Sequence, residues 1–300
     1  MPTRRAPVAR RHRPGENPAP ADPTPPGRSP SSHSTSRPLR STTVSHPAAP
    51  HGPHHPTSPS FLLVPGAWHR AACWDPLRDA LDARGRRSRT VELPSAGPQS
   101  TPTAGVYDDA EAIAAQLRRM EGPVIVVGHS YGGIPVTQAA ADHPHVVHLV
   151  YLAAYMTQEG ESLLSVHGRP APEPEDEDLT GTSPTVFTDP RTSLYSDLTD
   201  DQAEHAIGRL TEQSRRSFQQ PVTHAAWRTV PSTYVLCERD QALPPQLQKK
   251  MSAHATHVEH LPTGHCPFLS APPRLATLLT DIATATATES PHRASADAQH

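Results

Sequence analysis

The stretch VIVVGHSYGGIP, Val124 to Pro135, constrains the fold of this chain more than any other. Four β-branched residues run together, and Ser130 then stands between Gly128 and Gly132. A buried strand that breaks on Gly-x-Ser-x-Gly and resumes as small helix-forming residues is a strand–turn–helix unit with a very tight turn. Residues two before and two after the serine must lack a Cβ to avoid collision, which accounts for the two glycines. Such a turn lifts the serine Oγ above the strand ends. The helix behind it aims its first amides at the same point, so the Tyr131 N–H can face a developing oxyanion. The bland alternative is a glycine-rich turn with an idle serine. The strand before it and the helix after it favour a nucleophile.

The rest of the chain follows the rhythm this unit sets. Phe61–Val64 is a short apolar run that stops at Pro65-Gly66, and Trp74–Ala83 carries apolar residues at helical spacing. SRTVELP reads as a second strand. YDDAEAIAAQLRRM reads as a helix with acids in its first turn and arginines in its last, as the macrodipole prefers. Ile134–Ala141 is helical, and VVHLVYLAA is the fourth strand. From about 156 to 227 the rhythm breaks into polar sequence with a helix start at Thr199, which predicts a helical cap inserted above the sheet. STYVLCERD, a helix over Pro244–His254, HVEHLP and a helix over Pro272–Ile282 then complete the alternation. Continuous apolar strands alternating with helices predict an α/β fold with a mostly parallel sheet of about six strands, covered on both faces.

A serine needs a base, and the base needs an acid to hold it. In this architecture they follow in the order serine, acid, histidine, each at a strand end. Asp240 lies just past TYVLCER and His265 just past HVEHLPTG. With 20 histidines in the chain, only position singles one out. Glu238 and, further off, Glu159 are the rival acids. The second oxyanion donor should come from the turn PGAW after the first strand, with the Ala67 amide first and Trp68 second.

Composition bounds the remainder. The apolar fraction is 35 %, and about fifteen of the 37 prolines fall in the first sixty residues together with eight arginines and two acids. Residues 1–58 therefore read as a solvated, disordered tail, 59–285 as one domain and 286–300 as a second loose tail. The tail lacks the aromatic interleaving of single-strand binders, so no nucleic-acid partner is expected. The run Glu173–Asp178 reads as a solvated loop. No apolar stretch approaches membrane-spanning length, and no secretory signal is evident. Cys73, Cys237 and Cys266 are odd in number, widely spaced and without zinc spacing, which suits a reducing cytoplasm. His51, His54 and His55 lie in the tail, while His143, His145 and His148, and His254, His257 and His260, diverge across element ends. No metal and no cofactor are expected, and no phosphate-binding or dinucleotide motif is present.

Taken together, FLLVPGAWHRAACW, ELPSAG, VVGHSYGG, CERDQALP and LPTGHCPFLSAP resemble the α/β-hydrolase superfamily, over about Phe61 to Ile282. Within that superfamily the chain is similar to bacterial hydrolases of the plant methyl esterase and hydroxynitrile lyase branch. The resemblance implies Ser130 as nucleophile, His265 as base, Asp240 as acid, and the Ala67 and Tyr131 amides as oxyanion hole. Pro65 stands where the family usually has a histidine that orders the oxyanion loop. The lyases carry a lysine after the catalytic histidine and a threonine in the oxyanion turn. Here those positions are Cys266 and Gly66, so cyanide chemistry loses its support. The expected activity is hydrolysis of a small carboxylic ester through an acyl-enzyme. The runner-up is the same fold turned to a lyase, cofactor-free peroxidase or acyl-transfer reaction, or to ligand binding alone. Trp68 and His129 are candidate substrate contacts, and Phe187, Phe218 and Trp227 can line the site or belong to the core. A small-molecule ester is the expected partner, with no membrane, for a monomer or homodimer.

Overall fold

Buried aliphatic runs build the sheet. The computed structural model describes residues 58–97, 103–141, 143–169 and 181–297. The predicted tail 1–58 lies almost wholly outside these residues, as does the acidic run Glu173–Asp178. The main elements before the cap are β1 (Ser60–Val64), α1 (Asp75–Asp82), β2 (Ser88–Thr90), α2 (Val106–Leu117), β3 (Val124–His129), α3 (Gly133–Ala139) and β4 (Val146–Leu152). The cap holds α4 (Leu163–Val166), β5 (Thr182–Ser183), α5 (Pro190–Ser193), α6 (Asp200–Ile207), β6 (Gln213–Ser214) and α7 (Arg216–Gln219). β7 (Ser232–Cys237), α8 (Pro245–Ser252), β8 (His257–Leu261), α9 (Pro267–Ser270) and α10 (Pro272–Asp297) close the chain.

Six strands form one sheet in the order β2-β1-β3-β4-β7-β8, and every pairing in it is parallel. This is the α/β architecture, with a parallel sheet of six strands, that the sequence predicts. Alternate side chains supply two cores, as the two-residue period of a strand requires. Phe61, Leu63, Ile125 and Val127 pack with Leu77 and Leu81 of α1 and Leu275 and Leu279 of α10. Leu62, Val64, Val124 and Val126 pack with Ile113 and Leu117 of α2, Ile134 of α3 and Met251 of α8. Both faces are covered, so parallel strands without polar alternation are stable. β8 lies at the edge of the sheet, and its first four residues are exposed.

Three details differ from the sequence reading. The cap is not purely helical, because β5 and β6 pair as a short antiparallel ladder. β2 is shorter than SRTVELP, ending at Thr90. α10 continues past Ile282 to Asp297. Ala283 and Thr286 prolong its buried face, and the hydroxyls of Thr284 and Thr286 donate back to the carbonyls of Thr280 and Ile282. The loose tail predicted from 286 thus begins as helix, and 298–300 lie outside the described residues.

Candidate active site

Ser130 follows the last residue of β3 with φ of +51°, a conformation that L-residues rarely adopt. The surrounding glycines show why the turn is possible. A Cβ on Gly132 would lie 2.4 Å from the Pro65 carbonyl oxygen, and one on Gly128 would lie 3.0 Å from that of Gly132. A Cβ on Gly66 would lie 3.0 Å from Ser130 Cβ. The missing side chains let the loop after β1 settle directly on the elbow. The Tyr155 N–H donates to the Ser130 carbonyl at 3.0 Å and ties the elbow to the loop after β4.

Asp240 and His265 meet past the ends of β7 and β8. The two strand ends are zipped first, with Glu238 N–H donating to Leu261 O and Arg239 N–H to Thr263 O. His265 Nδ1 then donates to Asp240 Oδ2 at 2.7 Å, between side chains that are 2 % and 0 % exposed. The other positions on this carboxylate are filled by the N–H groups of Ala242 (2.7 Å) and Leu243 (2.9 Å) and by Gln248 Nε2 (3.0 Å). Four accepted bonds fill a carboxylate's capacity and fix its plane. The rival acids are elsewhere. Glu238 faces His260, Glu159 pairs with Arg228, and both carboxylates are about half exposed.

His129 differs from its sequence reading as a substrate contact. Its ring is fully buried, 4.6 Å from the His265 ring and 4.9 Å from Phe268. Its Nε2–H donates to the His265 carbonyl at 3.0 Å. Burial, with His265 beside it, pushes its pKa well below the usual imidazole value and keeps it neutral. It therefore props the loop that carries His265, a role that no sequence signal beyond its place next to Ser130 announced.

The turn Gly66–Trp68 is held from several sides. His69 Nδ1–H donates to the Ala67 carbonyl at 2.8 Å, which leaves Nε2 to accept the Tyr195 hydroxyl at 2.9 Å. Burial lowers the His69 pKa to about 4, so the ring is neutral and its two nitrogens keep opposite roles. His69 thus braces the turn in which Pro65 replaces the expected histidine. The Trp68 N–H is taken by Gln213 Oε1 at 3.2 Å. That leaves Ala67, not Trp68, as the candidate oxyanion amide. The Trp68 ring packs against Phe187 (5.9 Å) and Phe218 (5.5 Å), whereas Trp227 stacks on His254. Cap residues also grip the loop that carries His265, with Asp197 Oδ2 accepting the Gly264 N–H at 2.6 Å.

Cys266 is fully buried and its thiol is pushed well up by burial, so it is not a ready nucleophile. Among the described residues no group of His, Cys, Asp or Glu is arranged to hold a metal ion, and no helix is long and apolar enough to cross a membrane.

The family model described as "Alpha/beta hydrolase family" matches residues 61–278. A protein named alpha/beta hydrolase nvfD from Aspergillus novofumigatus is 32 % identical over 231 residues, covering 71 % of this chain and 92 % of that protein. Methylesterase 1 of Arabidopsis thaliana is 25 % identical over 254 residues, covering 74 % and 95 %. The crystal structure of a novel pyrethroid hydrolase superposes with a TM-score of 0.63 at 27 % identity, covering 76 % of this chain and 99 % of that one.

Proposed function

This chain belongs to the alpha/beta hydrolase family and is a carboxylic ester hydrolase related to the plant methylesterase branch, and we propose that it cleaves small, uncharged esters through an acyl-enzyme on Ser130. The observation that carries this reading is the buried His265–Asp240 pair, with the His265 ring packed 4.6 Å from that of His129, the residue directly before a serine held at positive φ after β3. With Nδ1–H committed to Asp240, Nε2 of His265 is the nitrogen left to receive a proton. Ser130 Oγ attacks the ester carbonyl carbon as His265 takes the hydroxyl proton. The carbonyl oxygen becomes an oxyanion between the Ala67 and Tyr131 N–H groups. The C–O bond to the alcohol breaks as His265 returns the proton to the leaving oxygen. Water, deprotonated by the same histidine, then attacks the acyl carbon and releases the acid with Ser130 restored. Asp240 keeps the tautomer and balances the imidazolium.

The packed rings of Trp68, Phe187 and Phe218 offer an apolar wall for the ester, in keeping with relatives named pyrethroid hydrolase and methylesterase. Cyanide-lyase chemistry gains nothing here, since the position after the base is a buried neutral thiol. The test is hydrolysis of p-nitrophenyl esters across acyl lengths by wild type, Ser130→Ala, His265→Ala and Asp240→Asn. All three substitutions are expected to lower kcat, Asp240→Asn by roughly 10⁴-fold through loss of the correct tautomer. Retention of most activity by Asp240→Asn would remove the acid from the scheme.

A further inference from the structure

A buried polar chain joins the two ends of the oxyanion site without passing through the triad. It begins at Trp68, whose N–H donates to Gln213 Oε1 at 3.2 Å. Gln213 Nε2 donates to Ser95 Oγ at 2.7 Å and to Ser217 Oγ at 2.8 Å. Ser95 donates to Asp109 from its hydroxyl, and from its N–H at 3.0 Å. The Tyr131 hydroxyl donates to the same carboxylate at 2.6 Å. Ser95, Asp109, Tyr131 and Gln213 are all fully buried.

The chain has a direction, and Asp109 sets it. Above its pKa of about 6 Asp109 is a carboxylate and only accepts, so the Ser95 and Tyr131 hydroxyls must both point at it. The Ser95 oxygen can then only accept from Gln213 Nε2. That fixes the amide with its oxygen on the Trp68 N–H, since the flipped amide would set donor against donor. The following peptide is held as well, because the Thr211 N–H donates to the Trp68 carbonyl at 2.9 Å. Trp68 needs such a grip, because it sits at φ of +62°. The gripping residues belong to the cap, which is itself docked by Ser214 N–H on Ser95 O (2.7 Å) and Gly97 N–H on Glu212 O (3.1 Å).

We propose that Gln213 is a positioning residue for the oxyanion hole, clamping the Ala67–Trp68 peptide so that the Ala67 N–H faces the reacting carbonyl, and that the hole is complete only while the cap segment 211–214 is docked on Ser95, which Asp109 holds in turn. This rests on the serine-esterase reading above, with Ala67 and Tyr131 as the oxyanion donors. The cap then contributes to rate as well as to the shape of the site. Its grip matters most in the transition state, where charge reaches the oxygen.

The experiment uses the full chain and a short-acyl p-nitrophenyl ester, with Ser130→Ala, Gln213→Leu and Tyr131→Phe beside wild type. A trifluoromethyl ketone of the same acyl length serves as the transition-state mimic. Removing an oxyanion donor costs about 10²–10³ in kcat, so displacing one should cost roughly tenfold or more. Gln213→Leu is expected to lose that factor in kcat with KM little changed, and to lose affinity for the ketone in parallel. A merely structural role would not tie ketone affinity to kcat. Tyr131→Phe removes one oxygen atom, and it is expected to show the same pattern more weakly even where Gln213→Leu fails to fold. Unchanged kcat and ketone affinity in either folded variant, beside an inactive Ser130→Ala, overturns this proposal alone. An active Ser130→Ala sinks the serine reading and this proposal with it.

Discussion

At Gly132 the elbow has no room for a single further carbon. The Cβ of Gly132→Ala would fall 2.4 Å from the Pro65 carbonyl oxygen and 2.9 Å from that of Val64, both backbone atoms of the loop that carries the oxyanion turn. Overpacking of this kind typically costs about 1–3 kcal/mol. Gly132→Ala is expected to lower the urea midpoint accordingly and to reduce kcat/KM by roughly 10²-fold as the turn is pushed off the serine. The acids make the opposite case. Glu238→Gln and Glu159→Gln alter half-exposed pairs on His260 and Arg228, so ester turnover should stay within about twofold of wild type. Loss of activity in Glu238→Gln would reopen the assignment of Asp240. Ser130, Asp240 and His265 could be singled out in the sequence because each lies within four residues of the end of a recognisable strand. His129 and His69 were not, because their roles rest on contacts with residues 136 and 126 positions away.

The strands and the helices against them could be read because each is one continuous apolar run or one regular stripe. The cap could not. α4, α5 and α7 span four residues each, too few to show a period, and β5 and β6 span two. Only α6 announced itself, through Thr199, whose side chain accepts the Gln202 N–H in a capping box. Gln213 was invisible for the same reason, since nothing in a two-residue strand marks an inward amide. The cap also sets substrate preference in this account. Phe218, from α7, packs on both Trp68 and Tyr131. Phe218→Ala is expected to raise KM for long-acyl esters several-fold while leaving kcat for the acetyl ester within about threefold. A uniform loss across acyl lengths would place Phe218 in the core rather than along the substrate.

For the molecule as a whole, buried ionisable groups set how stability depends on pH. Burial lowers the pKa of His69 to about 4 and carries that of His129 well below the usual 6.5. The unfolded chain therefore binds more protons below about pH 6.5. The stability these neutral rings contribute is present above that pH and is lost as pH falls through the folded values. Asp109 has the opposite sign. Burial raises its pKa to about 6, so its contribution is present below about 3.8 and is lost as pH rises through 6. Two histidines outweigh one carboxyl, so Tm is expected to fall between pH 6.5 and 4. His69 alone is worth on the order of 3 kcal/mol at about 1.4 kcal/mol per decade. His69→Gln should flatten the Tm–pH curve in that window, and an unchanged slope would mean that His69 is not the group titrating.

The central claim is that Ser130 is a nucleophile activated by His265 and Asp240. The most direct measurement is to react the full chain with a fluorophosphonate and locate the adduct by peptide mass spectrometry, with His265→Ala alongside. The account predicts one adduct, on Ser130, formed rapidly in wild type and lost or greatly slowed in His265→Ala. An adduct on another residue, or equal labelling without His265, would contradict it.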